Sequence, residues 1–361
     1  MRSHEMQRMA SLPKKFGKFL KKISRTNRRV LWISAIVLSG ILLLLFTGED
    51  GCRCSCDGSY ATFTGIPNLH AAYQDFQKGS TNHLRYPADF PVIMQDVNLC
   101  RSSDQPDLIV LIKTTHEQYR LRQQIRQTWG NSSCYSKHGL SARVLFLFGV
   151  LADQVELRDH LQTQLNWEHL TYQDILQFAF VDTYRNNTHK VKSALKYLTE
   201  RCPLSRHIVI FDEDFLVHPR NLVTTLNSVT EIQYPIFFAG LVRRAEGPSR
   251  YVRSKWYVSR SEYPYNAYPP FVCGGAVLMS MPFANMLSFG LQSIPYLFMD
   301  DILMAIVANE FNILPVNVAG IHSPCGLKRL NRKLASNLVA AHEFRDVVHQ
   351  AIGWTILPQP C

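Results

Sequence analysis

Short, continuous apolar runs separated by amphipathic stretches dominate the chain from about residue 105 onward. Four of the runs predict strands that are buried on both faces, at 108–113, 143–149, 176–181 and 207–211. Three segments between them predict helices, at 117–129, 154–164 and 184–198. Strands that alternate with helices predict an α/β domain with a mostly parallel central sheet and helices on both faces.

The longest apolar run lies near the N-terminus. Residues 30–46 contain no ionisable side chain, and the run extends to residue 48. At about 1.5 Å per residue it is long enough to cross the hydrocarbon of a bilayer. Residues 1–29 hold ten Lys and Arg against one Glu. This asymmetry predicts a basic cytoplasmic tail (1–29) and a retained transmembrane signal-anchor (30–48). A cleaved signal peptide is the alternative, although the basic region is long for one.

The formal net charge of +11 belongs mostly to the tail, because 10 − 1 gives +9 there and leaves +2 for the rest of the chain. The remaining residues therefore carry no basic footprint for nucleic acid, and nucleic-acid binding is excluded. Residues 49–104 are rich in Gly, Ser, Asn, Asp and Pro, which predicts a stem with little core. Residues 105–361 are then predicted to form the folded domain, which faces a lumen.

The nine cysteines fit an oxidising lumen. Cys52, Cys54 and Cys56 follow the apolar run closely and predict local or intermolecular disulfides, hence a possible disulfide-linked or other homo-oligomer. A zinc site there is disfavoured because no His or second Cys pair lies at the required spacing. Asn131 and Asn186 each begin an N-glycosylation sequon on the predicted lumenal side.

An acidic triplet, Asp212-Glu213-Asp214, follows the predicted strand 207–211 directly. Ligands of open parallel sheets bind beyond the carboxyl ends of the strands, where alternate side chains point the same way. Asp212 and Asp214 can therefore converge on one cation, and hard carboxylate oxygens suit Mn²⁺ or Mg²⁺. A turn or capping role for the triplet is the alternative.

Four further blocks of sequence occur in a recognisable order. They are residues 113–130 (KTTHEQYRLRQQIRQTWG); Asp182-Thr183-Tyr184 through Lys190, followed by FDEDFLV; Lys255-Trp256-Tyr257-Val258 with Tyr268-Pro269-Pro270 and Gly274-Gly275; and Asp300-Asp301-Ile302. Together they resemble the β-1,3-glycosyltransferase family (glycosyltransferase family 31), over most of residues 107–350. The resemblance implies a GT-A-like fold and a transferase that takes galactose or an N-acetylhexosamine from a UDP-sugar.

The resemblance also implies roles for individual residues. Asp212 and Asp214 take the metal-site role, and Asp301 that of catalytic base, with Asp300 as second choice. An N-cap and first-turn role is the alternative for both acids of that pair. His342 is the expected third metal ligand, with His322 as its rival.

Donor and substrate contacts are expected at the strand ends and the glycines. Lys113, Arg122 and Arg126, with Asp212 and Glu213, are candidates for the uridine diphosphate; solvated helix charge is the alternative for the three basic residues. Substrate candidates are Lys255, Trp256, Gly274 and Gly275. Trp129 and Trp256 either stack on a sugar or fill the core, and the glycines either allow close approach of substrate or form a tight turn.

The sequence thus predicts an inverting, metal-dependent transfer of galactose from UDP-galactose in β-1,3 linkage to a glycan, glycoprotein or glycolipid. It predicts a single-pass type II protein of the Golgi membrane. A β-1,3-N-acetylglucosaminyltransferase is the closest alternative, and an inactive membrane-anchored sugar-binding protein is another. The block around Cys273 places its cysteine one position away from the family pattern, so the disulfide pairing stays open.

Overall fold

The computed structural model describes residues 68–101, 105–153, 156–323 and 326–361. The predicted tail (1–29), the predicted signal-anchor (30–48) and the three cysteines at 52, 54 and 56 lie outside the described residues. Within the described ranges, no helix combines the length and apolarity that crossing a membrane requires.

The strands of the described part form two sheets. In chain order the strands are β1 (Val92–Met94), β2 (Leu108–Lys113), β3 (Ala142–Val150), β4 (Ile175–Val181), β5 (His207–Asp212), β6 (Leu216–Val217), β7 (Phe238–Arg243), β8 (Phe271–Ser280), β9 (Val316–Asn317), β10 (Ile321–His322) and β11 (Ala340–Ala341). The large sheet has the order β1-β4-β3-β2-β5-β8-β7-β9, and the small one has the order β10-β11-β6.

The large sheet is mixed rather than mostly parallel. The central strands β4, β3, β2 and β5 are parallel, as predicted. Strand β8, however, runs antiparallel between β5 and β7, and β1 runs antiparallel to β4. The prediction of a mostly parallel sheet is wrong at β8 because strands and helices no longer alternate there: in this described part of the chain no helix lies between β7 and β8, and a parallel crossover usually needs one.

The α-helices lie between and after the strands. They are α1 (Leu69–Gln77), α2 (Tyr119–Gln127), α3 (Ser133–Ser136), α4 (Arg158–Tyr172), α5 (Asn187–Arg201), α6 (Pro219–Asn227), α7 (Met281–Ser293), α8 (Asp300–Glu310), α9 (Gly326–Arg329), α10 (Arg332–Asn337) and α11 (Val347–Ile356). Short 3₁₀ turns at His116–Gln118 and Tyr184–Asn186 precede α2 and α5. The helix predicted at 154–164 lies later in the chain, at α4.

Strand β2 shows how the sheet separates two hydrophobic cores. All six of its side chains are buried. Ile109 and Leu111 pack into one core, and Leu108, Val110 and Ile112 pack into the other. Because successive side chains of a strand point to opposite faces, a strand covered on both sides is apolar along its length, and in β2 only the last residue, Lys113, is charged. The predicted layers of helices on both faces are confirmed.

The folded domain begins earlier than the predicted boundary at residue 105. Leu69 and Ala72 of α1 are buried in the first core, and β1 is an edge strand of the large sheet. A disulfide joins Cys100 to Cys202 at the end of α5. The stem predicted for 49–104 is therefore too long, since residues 68–101 pack as part of the domain.

Candidate functional site

A buried lysine links the ends of β2 and β5 to the start of α8. Lys113 and Asp212 are register partners in adjacent parallel strands, which places their side chains on the same face. The Lys113 Nζ lies 2.9 Å from Asp212 Oδ1 and 2.7 Å from Asp300 Oδ2. Burial alone would lower the pKa of Lys113, but the charges of Asp212 and Asp300 raise it above its ordinary value. Lys113 therefore stays protonated and holds both carboxylates.

Asp214 lies beside the histidine predicted as a third metal ligand. Its Oδ2 is 3.0 Å from Nε2 of His342 and 4.0 Å from Nε of Arg345. The hydrogen bond to Asp214 raises the pKa of His342. His342 follows β11, which pairs with β6 just after the acidic triplet. The rival His322 lies one strand further away, on β10.

The donor atoms around the triplet suit a divalent cation. Asp214 Oδ1 is buried without a hydrogen-bond partner among the described residues, and such an oxygen costs free energy unless it is paired. The Asp212 side chain is 36% exposed. Within the described ranges, no three His, Cys, Asp or Glu side chains already converge as a metal site. Asp212, Asp214 and His342 are nevertheless the residues that could hold such an ion.

Asp301 is the second residue of α8 and lines the same cavity as Asp212 and Asp214. Its Oδ2 accepts a hydrogen bond from Gly274 N at 3.2 Å, and its Oδ1 accepts one from Ile302 N at 2.8 Å. Burial and the neighbouring charge of Asp300 raise the pKa of Asp301 to about 7. The Asp300 carboxylate forms an ion pair with Lys113. Of the two acids, Asp301 is the one placed to exchange a proton near neutral pH.

The two glycines of β8 allow the strand to pass close to these carboxylates. A Cβ on Gly275 would lie 2.3 Å from Cε2 of Phe215 and 3.1 Å from Asp212 Oδ2. A Cβ on Gly274 would lie 3.0 Å from the Asp301 side chain. Close approach to the site, rather than a turn, therefore explains this pair.

An aromatic and a cation form one wall of the site. Lys255 Nζ lies 4.1 Å from the centroid of the Tyr184 ring, which is a cation–π contact. Trp256 is 58% exposed beside them. Tyr184 was not predicted as a site residue, although the Asp182-Thr183-Tyr184 block contained the signal. Trp129, in contrast, is a core residue, and its Nε1 donates to Gln350 Oε1 at 3.1 Å.

Two adjoining cavities lie at this end of the sheet. The first, of about 530 Å³, is lined by the predicted residues Lys113, Asp212, Asp214, Lys255, Trp256, Gly274, Gly275, Asp300, Asp301 and His342. The second, of about 440 Å³, shares Lys113, Asp212 and Asp214 and adds Glu213 and Thr114. The Thr114 hydroxyl donates to Glu213 Oε2, and burial raises the pKa of Glu213 to about 7. Most of the predicted site thus converges.

Arg122 and Arg126 do not join it. Arg122 is fully buried and donates to both oxygens of Glu168, at 3.0 and 2.5 Å. Arg126 donates to both oxygens of Asp174, at 2.8 and 2.9 Å. Neither arginine lines the two cavities. The prediction that these arginines contact the donor is wrong, because Glu168 and Asp174 bind their guanidinium groups. Both carboxylates lie far from the arginines in sequence, so the local pattern does not reveal them.

The disulfide-bonded cysteines and the sequon asparagines do not line the two cavities. Cys134 is paired with Cys361, and Cys273 is unpaired among the described cysteines. The Asn131 side chain is exposed and accepts from Ser133 N at 3.0 Å. Asn186 donates to Val181 O at 2.8 Å. Glycosylation of both asparagines stays a prediction.

The chain is similar to known proteins over much of its length. Residues 120–319 match the family model described as Galactosyltransferase. The lactosylceramide 1,3-N-acetyl-beta-D-glucosaminyltransferase of Xenopus tropicalis is 33% identical over 304 residues, covering 82% of this chain and 77% of that protein. A Xenopus laevis counterpart, form B, is 30% identical over 297 residues, with the same coverage. The beta-1,3-galactosyltransferase 1 of Mus musculus is 30% identical over 266 residues, covering 73% of this chain and 78% of that protein.

Proposed function

We propose a specific reaction for this chain, which belongs to the galactosyltransferase family and is a glycosyltransferase. The resemblance predicted from the four sequence blocks is confirmed. The relatives' names share transfer in β-1,3 linkage of galactose or N-acetylglucosamine, and this chain is a β-1,3-glycosyltransferase of that kind. Its substrates are a sugar donor and a glycan or glycolipid acceptor.

For the donor we propose UDP-galactose, with UDP-N-acetylglucosamine as the second candidate. The family description supports the first sugar, and the names of the Xenopus relatives support the second. The test is incubation of the full-length chain, in detergent with Mn²⁺, with each UDP-sugar and a panel of lactosyl and N-acetyllactosaminyl acceptors. A strict preference for UDP-N-acetylglucosamine would replace the first candidate. Absence of transfer from either donor would favour an inactive sugar-binding protein.

The Asp301 carboxylate is the proposed general base. An acceptor hydroxyl is a poor nucleophile until its proton is removed during attack on the anomeric carbon. A base works best when its pKa lies near the working pH, and the pKa of Asp301 is raised to about 7. This raised pKa, in the cavity that also holds Asp212 and Asp214, is the observation that carries the proposal.

The acidic triplet is the proposed cation site. Asp212, Asp214 and His342 would hold Mn²⁺ or Mg²⁺, because Asp214 Oδ1 is buried and has no hydrogen-bond partner in the part of the chain that the structure describes. When bound, the ion offsets the negative charge that develops on the departing diphosphate. Lys113 fixes the orientation of Asp212 from the protein side. One base and one charge-stabilising site suffice for a single displacement, so we propose inversion at the anomeric carbon.

We further propose that the protein is a single-pass type II protein of the Golgi membrane with the domain in the lumen. The basic run at 1–29 and the apolar run at 30–48 support this. Protease protection of the domain in intact Golgi vesicles tests it. Digestion of the domain without detergent would contradict the orientation.

A further inference from the structure

A buried ion pair lies behind the second cavity without lining it. Arg122 is 0% exposed and Glu168 is 2% exposed. The Arg122 guanidinium donates from Nε and Nη2 to the two oxygens of the Glu168 carboxylate, at 3.0 and 2.5 Å. Arg126 Nη1 also donates to Glu168 Oε2, at 2.9 Å. A buried pair of this kind contributes little net stability, because desolvation offsets the attraction. Its geometry is fixed by two parallel hydrogen bonds, which suits a role in positioning.

The remaining donors of Arg122 hold the segment that follows β2. Nη1 donates to Thr115 O at 2.6 Å, and Nη2 donates to His116 O at 3.3 Å. Nη1 also lies 3.4 Å from Thr114 Oγ1. Thr114 and Thr115 line the second cavity. Arg122 therefore supports the backbone of this cavity wall from outside the cavity, together with Lys190, whose Nζ donates to Thr114 O at 2.6 Å.

The same contacts reach the acidic triplet. The Thr114 hydroxyl, which can accept from Arg122, donates to Glu213 Oε2. Glu213 lies between Asp212 and Asp214, and its backbone N–H donates to Lys113 O at 3.0 Å. A continuous series of hydrogen bonds thus runs from Glu168 through Arg122 and Thr114 to Glu213. Two of its members, Thr114 and Glu213, line the second cavity.

We propose that Arg122 and Glu168 are positioning residues that shape the second cavity for the nucleoside diphosphate of the donor. The inference rests on the proposed glycosyl transfer from a UDP-sugar. It assigns the first cavity, which contains Asp301 and Trp256, to the acceptor side. Loosening the pair must therefore weaken donor binding and leave acceptor binding unchanged.

Four variants of the full-length chain separate positioning from general stability. Glu168→Gln weakens the paired hydrogen bonds to Arg122, and Glu168 itself lines neither cavity. Thr114→Val removes the hydroxyl link to Glu213, and Thr114→Ser keeps it. Asp96→Asn is the matched control, because Asp96 is also a buried carboxylate that pairs with an arginine, Arg143, and it lines neither cavity. The measurements are the Kd of UDP by calorimetry with Mn²⁺, the KM of donor and acceptor, and Tm.

We expect Glu168→Gln and Thr114→Val to raise the Kd of UDP and the donor KM about tenfold, a change equivalent to about 1.4 kcal/mol. The acceptor KM stays within about twofold, a change below about 0.5 kcal/mol. Thr114→Ser restores UDP binding. Asp96→Asn lowers Tm, because it weakens a buried ion pair, but leaves the Kd of UDP unchanged.

Two results would overturn the inference while leaving the proposed function intact: unchanged UDP binding in Thr114→Val, or an equal loss of UDP binding in Glu168→Gln and Asp96→Asn. If Glu168→Gln does not fold, the Thr114→Val and Thr114→Ser pair still decides. Failure of the wild-type chain to bind UDP would overturn the proposed function and the inference together.

Discussion

Replacing Asp301 with Asn removes the proposed base and changes the shape of the side chain very little. The carboxylate accepts hydrogen bonds from Gly274 N at 3.2 Å and Ile302 N at 2.8 Å. An Asn amide can keep one of the two through its single oxygen. The substitution therefore tests proton transfer with little disturbance of the start of α8.

The expected loss follows from what a general base contributes. Such a base accelerates a reaction about 10²- to 10⁴-fold, which corresponds to about 2.7 to 5.4 kcal/mol of barrier. The free energy of unfolding of the variant, in contrast, should not fall. Because the pKa of Asp301 is raised from 3.8 to about 7 in the folded state, its ionisation lowers the free energy of unfolding as the pH rises from the lower value to the higher one, and the loss is complete above the higher one. An Asn avoids that cost, so the variant is at least as stable as the wild type at pH 8.

The assay is kcat with saturating donor and acceptor at pH 8, together with Tm and the Kd of UDP. Asp89→Asn is the control, because Asp89 is a surface carboxylate paired with Lys196, and we expect its kcat to be unchanged. A folded Asp301→Asn protein that retains more than about a tenth of wild-type kcat would refute the role of Asp301, since a base contributes at least about 10²-fold.

Three further predictions concern pH, packing and covalent structure. We expect kcat/KM to rise with pH up to about 7, because Asp301 must lose its proton and its pKa is about 7; a profile already flat from pH 5 contradicts this. Gly275→Ala places a Cβ 2.3 Å from Phe215. The resulting overpacking should destabilise the fold by about 1–3 kcal/mol and lower both Tm and kcat, and unchanged values of both would contradict this prediction. Cys100→Ser breaks the bond to Cys202 and should cost about 2–5 kcal/mol, measured by denaturant unfolding; an unchanged midpoint contradicts it.

The centre of the sheet could be predicted because its strands allow one physical arrangement. An uninterrupted apolar run such as 108–113 must be covered on both faces, and parallel pairing then brings its end beside the end of the run at 207–211. The contact of Lys113 with Asp212 follows from that register. The sequence alone therefore predicts that the acidic triplet and the lysine lie at one end of the sheet.

Long-range partners could not be predicted in the same way. Arg122 occurs on a helix with an ordinary charge pattern, and nothing local shows that Glu168 would bury it. Strand β8 escaped prediction because it runs antiparallel, after a long loop from β7. Helix α1 did carry a signal: Leu69, Ala72, Tyr73 and Phe76 have the spacing of an apolar helical stripe, and all contact the core.

The configuration of the first product tests the central claim most directly. A UDP-sugar carries its hexose in α linkage, and a single displacement aided by one base must invert it. Proton NMR of the disaccharide linkage formed by the full-length chain, recorded at early time, should therefore show only the β anomer. An α-linked product, or hydrolysis of the donor without any transfer to acceptor, would contradict the account of the carboxylate cavity as an inverting transferase site.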